Sequence, residues 1–150
     1  MRRPKRSTSR TDLPDVNVWL AATVPGHPHH DRAITWWHDE APGRVAFVRI
    51  TALALVRLLT QPAVMGGNPL AMGEAWQHYQ RLRRLPEILL LPEPEATESI
   101  LADWATTPWA TPRLWTDAYL AACAEAGGCR LVTFDRDFRR FERTELLLLD

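Results

Sequence analysis

The sequence predicts an α/β domain: a three-layer α/β/α sandwich around a roughly five-stranded, mainly parallel sheet. Two observations carry that reading. Short apolar runs alternate with longer amphipathic ones, the order expected of parallel strands joined by helical crossovers. The 150 residues, 46% hydrophobic and 24% charged, suffice for one domain with a real core, and no internal repeat divides them. Residues 13–150 are assigned to that domain. Residues 1–12 are read as a basic tail, expected to be disordered.

The elements follow in order. The first strand lies around Leu13–Val16 and passes straight into a helix near Asn17. Pro14 has no N–H to donate, so it belongs at that strand's beginning or on an unpaired edge. "GHPHHDRAITWWHDEAPG" reads as a second helix, opened near Pro28 and closed before Pro42-Gly43. "RVAFVRI" is a strand, and "TALALVRLLTQP" a helix with Thr51 as a possible N-cap. In "GGNPLAMGEAWQHYQRLRRLP", Asn68-Pro69 predicts a helix start, and Pro86 its end. "EILLLP" is a strand and "PEATESILADWA" a short helix. "TPRLWTDAYLAACAEAGG" is a helix with Gly127-Gly128 as its left-handed cap. "CRLVTF" is a strand, "DRDFRRF" a turn or short helix, and "ELLLL" the last strand.

Composition narrows the class. Residues 1–10 hold five Lys/Arg and no acid, leaving 13 basic and 18 acidic residues in the rest. The tail is either solvated or in contact with nucleic acid. An acidic body does not bind nucleic acid by bulk charge, so action on nucleic acid would call for cations or a local basic strip. No apolar run approaches the roughly 20 residues of a membrane span, and no apolar core of a secretory signal follows the basic start. Cys123 and Cys129 form neither a CxxC motif nor a disulfide framework, which suits a reducing, cytoplasmic location.

Candidate chemistry gathers at strand ends. In an open parallel sheet, ligands bind beyond the carboxyl ends of the strands. Asp15 closes the first strand of "LPDVNVWL". Asp135 follows "CRLVTF", Asp137 stands two residues on, and Asp117 in "LWTDAYLAA" lies on a turn that could face the same edge. Each has a structural alternative: Asp15 or Asn17 as the cap of the next helix, Thr116 or Asp117 as caps, Asp135 as a turn former. Together, carboxylates converging on one edge repel unless a cation lies among them. Oxygen-only ligation of this kind suits Mg²⁺ or Mn²⁺.

The three stretches "LPDVNVWLAA", "LWTDAYLAA" and "LVTFDRDF", in that order from about Leu13 to the end, resemble the PIN domain. More narrowly, they resemble the VapC toxins of bacterial toxin–antitoxin pairs. The resemblance implies an endoribonuclease dependent on Mg²⁺ or Mn²⁺, a homodimer, and silencing by a VapB-type antitoxin. It implies Asp15, Asp117 and Asp135 as acidic ligands. It also implies supporting roles for Asn17, Thr116 and Thr133, with Asp137 either sharing the site or merely solvated. One departure stands out. Where the family usually has a glutamate in "T-x-x-E-L", this chain has "TALAL", with Ala54 at that place. A PIN-fold protein that binds RNA or an antitoxin without cleaving is therefore the alternative. A phosphohydrolase of another α/β family is a weaker one, because "DVNVW" lacks the second acid of a D-x-D motif.

Other features have ordinary readings beside functional ones. His27, His29 and His30 have no partners at zinc-site spacing and read as surface or capping residues. Arg81, Arg83 and Arg84 complement a helix C-terminus or hold RNA phosphates, and Arg57, Arg136, Arg139, Arg140 and Arg143 are open to either use. Trp36, Trp37 and Trp76 are expected to pack helical layers, unless an exposed pair marks a dimer or antitoxin surface.

Overall fold

In the computed structural model, which describes residues 10–150, five short strands form one parallel sheet. They are β1 (Asp12–Pro14), β2 (Val45–Phe47), β3 (Ile88–Leu90), β4 (Arg130–Thr133) and β5 (Leu146–Leu148), in the order β3-β2-β1-β4-β5. The helices are α1 (Val16–Thr23), α2 (His30–Thr35), α3 (Arg49–Leu59), α4 (Met72–Arg83), α5 (Thr97–Ala105) and α6 (Trp115–Gly127). The expected tail at 1–9 lies outside the described residues. Asp12, assigned to that tail from sequence, is the first residue of the central strand.

The alternation of side chains along a strand divides the core in two. Val45 and Phe47 of β2 and Val132 of β4 pack under α1, α3 and α4 with Trp19, Leu55 and Tyr79. Leu13, Ala46 and Leu131 face the other way, against Trp104 of α5 and Leu120–Ala124 of α6. The central strands are buried on both faces, as their unbroken apolar runs require. This is the three-layer sandwich the alternating pattern predicted. None of the helices among the described residues is long and apolar enough to cross a membrane.

Several boundaries move, each for a local reason. Pro14 sits at the end of the central strand, not at its beginning or on an edge. The N–H of Asp12 donates to Arg44 on the β2 side, and that of Asp15 to Val132 on the β4 side. Alternation therefore turns Pro14 toward β2, where the pairing of β1 covers only Asp12. The missing N–H falls where no ladder bond is needed.

The second strand stops at Phe47, and Arg49 and Ile50 already belong to α3. Thr51 is thus not the N-cap but the third helical residue; its Oγ1 accepts from the N–H of Val48 at 3.2 Å, the true cap. The fourth helix begins at Met72, not at Asn68-Pro69, because the Leu70 N–H is drawn to Leu59 O while Glu74 accepts from the Ala71 N–H. The second helical stretch is α2 followed by a wider π-turn over Trp36–Glu40. Gly128, at φ 62°, caps α6 in the left-handed conformation foreseen for the Gly-Gly pair.

Candidate metal centre

The chain goes to one face of the sheet after β1 and to the other before β4, so the β1/β4 boundary is the point where the order reverses. Ligand crevices open at such a point beyond the strand ends. Register is held there by a pairing that the sequence reading overlooked. Asp12 stands opposite Arg130, which grips it with Nε at 2.8 Å and Nη2 at 2.9 Å, and Trp36 Nε1 donates to the same carboxylate at 3.1 Å. Burial keeps the pKa of Asp12 above the ordinary value, against the pull of Arg130. A one-residue slip would strand both charges, so the pair locks the alignment that sets Asp15 beside Thr133.

Asp15 is the N-cap of α1: one oxygen, Oδ1, accepts from the Val16 N–H at 2.7 Å. Its backbone N–H ties it to Val132 O at 2.8 Å. The other oxygen accepts the hydroxyl proton of Thr133 at 3.1 Å. Thr133 Oγ1 in turn accepts from the Asp135 N–H at 3.0 Å, and Asp135 Oδ1 accepts from the Asp137 N–H at 2.8 Å. The capping and turn-forming alternatives for Asp15 and Asp135 are thus both realised, within one hydrogen-bonded run across two strand ends.

Asp117 lies half-buried in the first turn of α6, which packs on the face that Leu131 presents. Burial pushes Asp15 up to about 6, with the charges of Asp117 and Asp135 adding to the rise. Asp117 is raised as well, by burial and then by Asp135 and Asp137, against a downward pull from Arg113. The four aspartates therefore share one electrostatic environment. Arg113, four residues before Asp117, was missed in the sequence; its i, i+4 spacing was the available signal.

The supporting residues divide. Thr133 makes the bridging contacts. Thr116 is exposed, and no hydrogen bond among the described residues joins it to the carboxylates. Asn17 has its Oδ1 buried without a partner. Ala54 lies half-buried on α3. The histidines stay apart from the cluster as ligands: His27 accepts from the His29 N–H, His29 stacks on Phe134 at 4.6 Å, and His30 bonds Ala21 O.

Among the described residues, no three Asp, Glu, His or Cys side chains close into a ready-made metal cage. The donor set still fits a small hard cation. Mg²⁺ keeps several waters and takes only one or two carboxylates directly. Here the donors are all oxygen, their negative charge is under-compensated, and the orphaned Asn17 Oδ1 is an acceptor in want of a donor such as a coordinated water.

The PIN domain profile matches residues 13–144. The chain belongs to the PIN-domain family. Among its relatives, Ribonuclease VapC41 of Mycobacterium tuberculosis is 41% identical over 143 residues, covering 91% of this chain and 97% of that one. Ribonuclease VapC37 of the same species is 32% identical over 130 residues, 85% of this chain and 90% of that one. Solved structures share the PIN fold. The M. tuberculosis toxin VapC20, which cleaves the sarcin–ricin loop, superposes with a TM-score of 0.66 at 18% identity, over 86% of this chain and 93% of its own. VapBC2 of Rickettsia felis, bound to a promoter DNA fragment, gives 0.61 at 14% identity, over 93% and 99%.

Proposed function

We propose that this PIN-domain protein is the toxin of a VapBC-type pair, an endoribonuclease dependent on Mg²⁺ or Mn²⁺. The carrying observation is the run Asp15–Thr133–Asp135, coupled electrostatically to Asp117 at the reversal point of the sheet. The names of the VapC relatives support the substrate class.

Asp15, Asp117 and Asp135 would hold the cation. When bound, it acidifies water for attack on a phosphodiester and balances the phosphate's charge. The protein's own part is placement. Thr133 fixes the direction of the Asp15 carboxylate, and the α1 cap fixes its position. Asp137, exposed next to Asp135, is an acceptor for solvent, and the buried Asn17 Oδ1 would accept from a water held by the cation. Arg113, Arg136, Arg139 and Arg140 are exposed around the cluster in sequence and supply the cations that an acidic body needs against RNA phosphates. The products of such hydrolysis are a 5′-phosphate and a 3′-hydroxyl.

The reading includes a homodimer, a VapB-type antitoxin and a cytoplasmic setting. Met72, 83% exposed, and Trp76, 42% exposed, border an apolar cleft of about 560 Å³ between α3 and α4, together with Leu53 and Val56. Trp36 is buried, so of the tryptophans first considered for an interface Trp76 is the one on this surface. Exposed apolar surface of this kind supports a protein partner.

Purified protein free of antitoxin, incubated with total RNA, should cleave in Mg²⁺ or Mn²⁺ and stop in EDTA. Cleavage that persists in EDTA, or in an Asp15→Ala/Asp117→Ala variant, refutes the metal–carboxylate mechanism. A second reading rests on Ala54: with one family carboxylate missing, the protein binds RNA or antitoxin without cutting. Binding with no cleavage of any RNA selects it.

A further inference from the structure

A second cavity opens at the start of α6, the helix that carries Asp117. It measures about 210 Å³ and is walled by Trp104, Trp109, Pro112, Leu114, Trp115 and Ala118. Its inner wall is closely packed. The Trp104 and Trp109 rings lie 6.0 Å apart, and each meets Phe141 edge-on, at 5.2 and 5.4 Å. The Arg143 guanidinium lies 4.7 Å over Trp104 and is itself held by Asp103 and Glu125. The outer wall is different: Trp115 is 57% exposed, an indole presented to solvent at the start of α6.

Two features say what this cavity takes. Trp104 is only 7% exposed, yet its indole N–H is buried with no acceptor among the described residues. A buried donor left unpaired is costly, and a ligand carrying an acceptor removes that cost. The cavity also adjoins, along the chain, two residues of the proposed nuclease site. Ala118 is the chain neighbour of Asp117, and Arg113, which acts on Asp117, lies between the lining residues Pro112 and Leu114. At about 210 Å³ it falls below the roughly 300–1,000 Å³ of clefts for drug-sized ligands, which leaves room for one ring system.

We infer that the cavity is a subsite for a single unpaired nucleobase of the RNA strand. This rests on the ribonuclease reading. The base stacks against the indoles of Trp109 and Trp115, and one of its ring or carbonyl acceptors takes the Trp104 N–H, which a small turn of that indole brings to the cavity. Arg113 faces the backbone phosphate beside it, on the side of Asp117. A one-ring cavity walled by indoles, with one donor, suits a base; a helical peptide would need a longer apolar groove. Bases within a duplex cannot enter, so the site selects single-stranded or looped RNA.

The test uses the full chain, with intrinsic tryptophan fluorescence read at low salt in Mg²⁺-free buffer. The probe is a short single-stranded oligoribonucleotide, compared with a series in which one abasic position is moved along the strand. The wild type should bind the intact strand more tightly than the strand lacking one particular base. Trp115→Ala should weaken binding by at least about fivefold, the lower bound for one base stacked on an aromatic side chain. Trp115→Phe should restore most of it. In cleavage assays Trp115→Ala should raise KM with kcat little changed. Trp115 is a surface residue, so circular dichroism should show both variants folded. If the wild type cleaves RNA but Trp115→Ala leaves affinity and KM unaltered, the base subsite is refuted and the nuclease reading stands. If the wild type neither binds nor cuts RNA, both fall. Equal affinity for every abasic strand, or occupation of the cavity by an antitoxin peptide with no effect of Trp115→Ala on RNA, also overturns the subsite.

Discussion

Asp15→Asn should make the metal-free protein more stable at neutral pH while abolishing its metal-dependent activity. Asn retains the oxygen that accepts from the Val16 N–H, and it caps helices about as well as Asp. What it removes is charge, and in place of the oxygen that accepts from Thr133 it sets an amide that can donate to the same hydroxyl. Burial and the neighbouring aspartates raise Asp15 from 3.8 to about 6 in the folded chain. A raised carboxylate binds more protons folded than unfolded, so stability falls as pH climbs from about 4 to about 6 and stays reduced above. Roughly two pKa units at about 1.36 kcal/mol each give about 3 kcal/mol as an upper bound. Asp15 is only partly buried, and solvent screening lowers this to about 1–3 kcal/mol. For a chain of this length that is a rise in Tm of about 2–10 °C. Thermal melts in EDTA from pH 3.5 to 8 should therefore converge for the two proteins near pH 4 and separate by pH 7. Added Mg²⁺ should raise the wild-type Tm and close the gap, because a ligand bound only to the native state stabilises it. An Asn variant that melts below wild type at pH 7.5, or a gap that does not depend on pH, refutes the reasoning.

Other perturbations act on the supports of the site. Asp12→Ala should cost about 3–5 kcal/mol in urea unfolding, since it strands the partly buried Arg130 and leaves Trp36 Nε1 without its acceptor. Thr133→Val deletes both bridging contacts and should weaken Mn²⁺ binding by about 10–100-fold in calorimetry, with little change in fold by circular dichroism. Ala54→Glu returns the family's carboxylate and should tighten metal binding or raise activity; a variant that changes neither shows that position 54 was not a gap in the site. Gly128→Ala forces a Cβ into a φ of 62° and should cost about 1 kcal/mol in the same urea assay, with cleavage unaffected.

Much of the molecule was legible in its residue order. Alternating apolar and amphipathic runs specify the number of strands and the layering, because each strand buried on both faces must be an apolar run and each crossover must hide one face of a helix. The motifs around Asp15, Asp117 and Asp135 carry the family. The helix cap at Gly128 was equally plain, since few residues other than glycine accept that φ. Three things belong to the tertiary structure alone. Asp12 looked like the end of a solvated tail because its partner, Arg130, is remote in sequence, and only strand register brings them together. The start of α4 shifted because the Leu70 N–H is drawn to Leu59 O at the end of α3, a contact the cap residues Asn68-Pro69 do not reveal. The link from Asp15 through Thr133 to Asp135 comes from the pairing of β1 with β4, and the tryptophan-lined cavity at the start of α6 comes from α5 packing on α6. Sequence sets which groups are present; the distances among them, and hence the charge they share, follow from that packing.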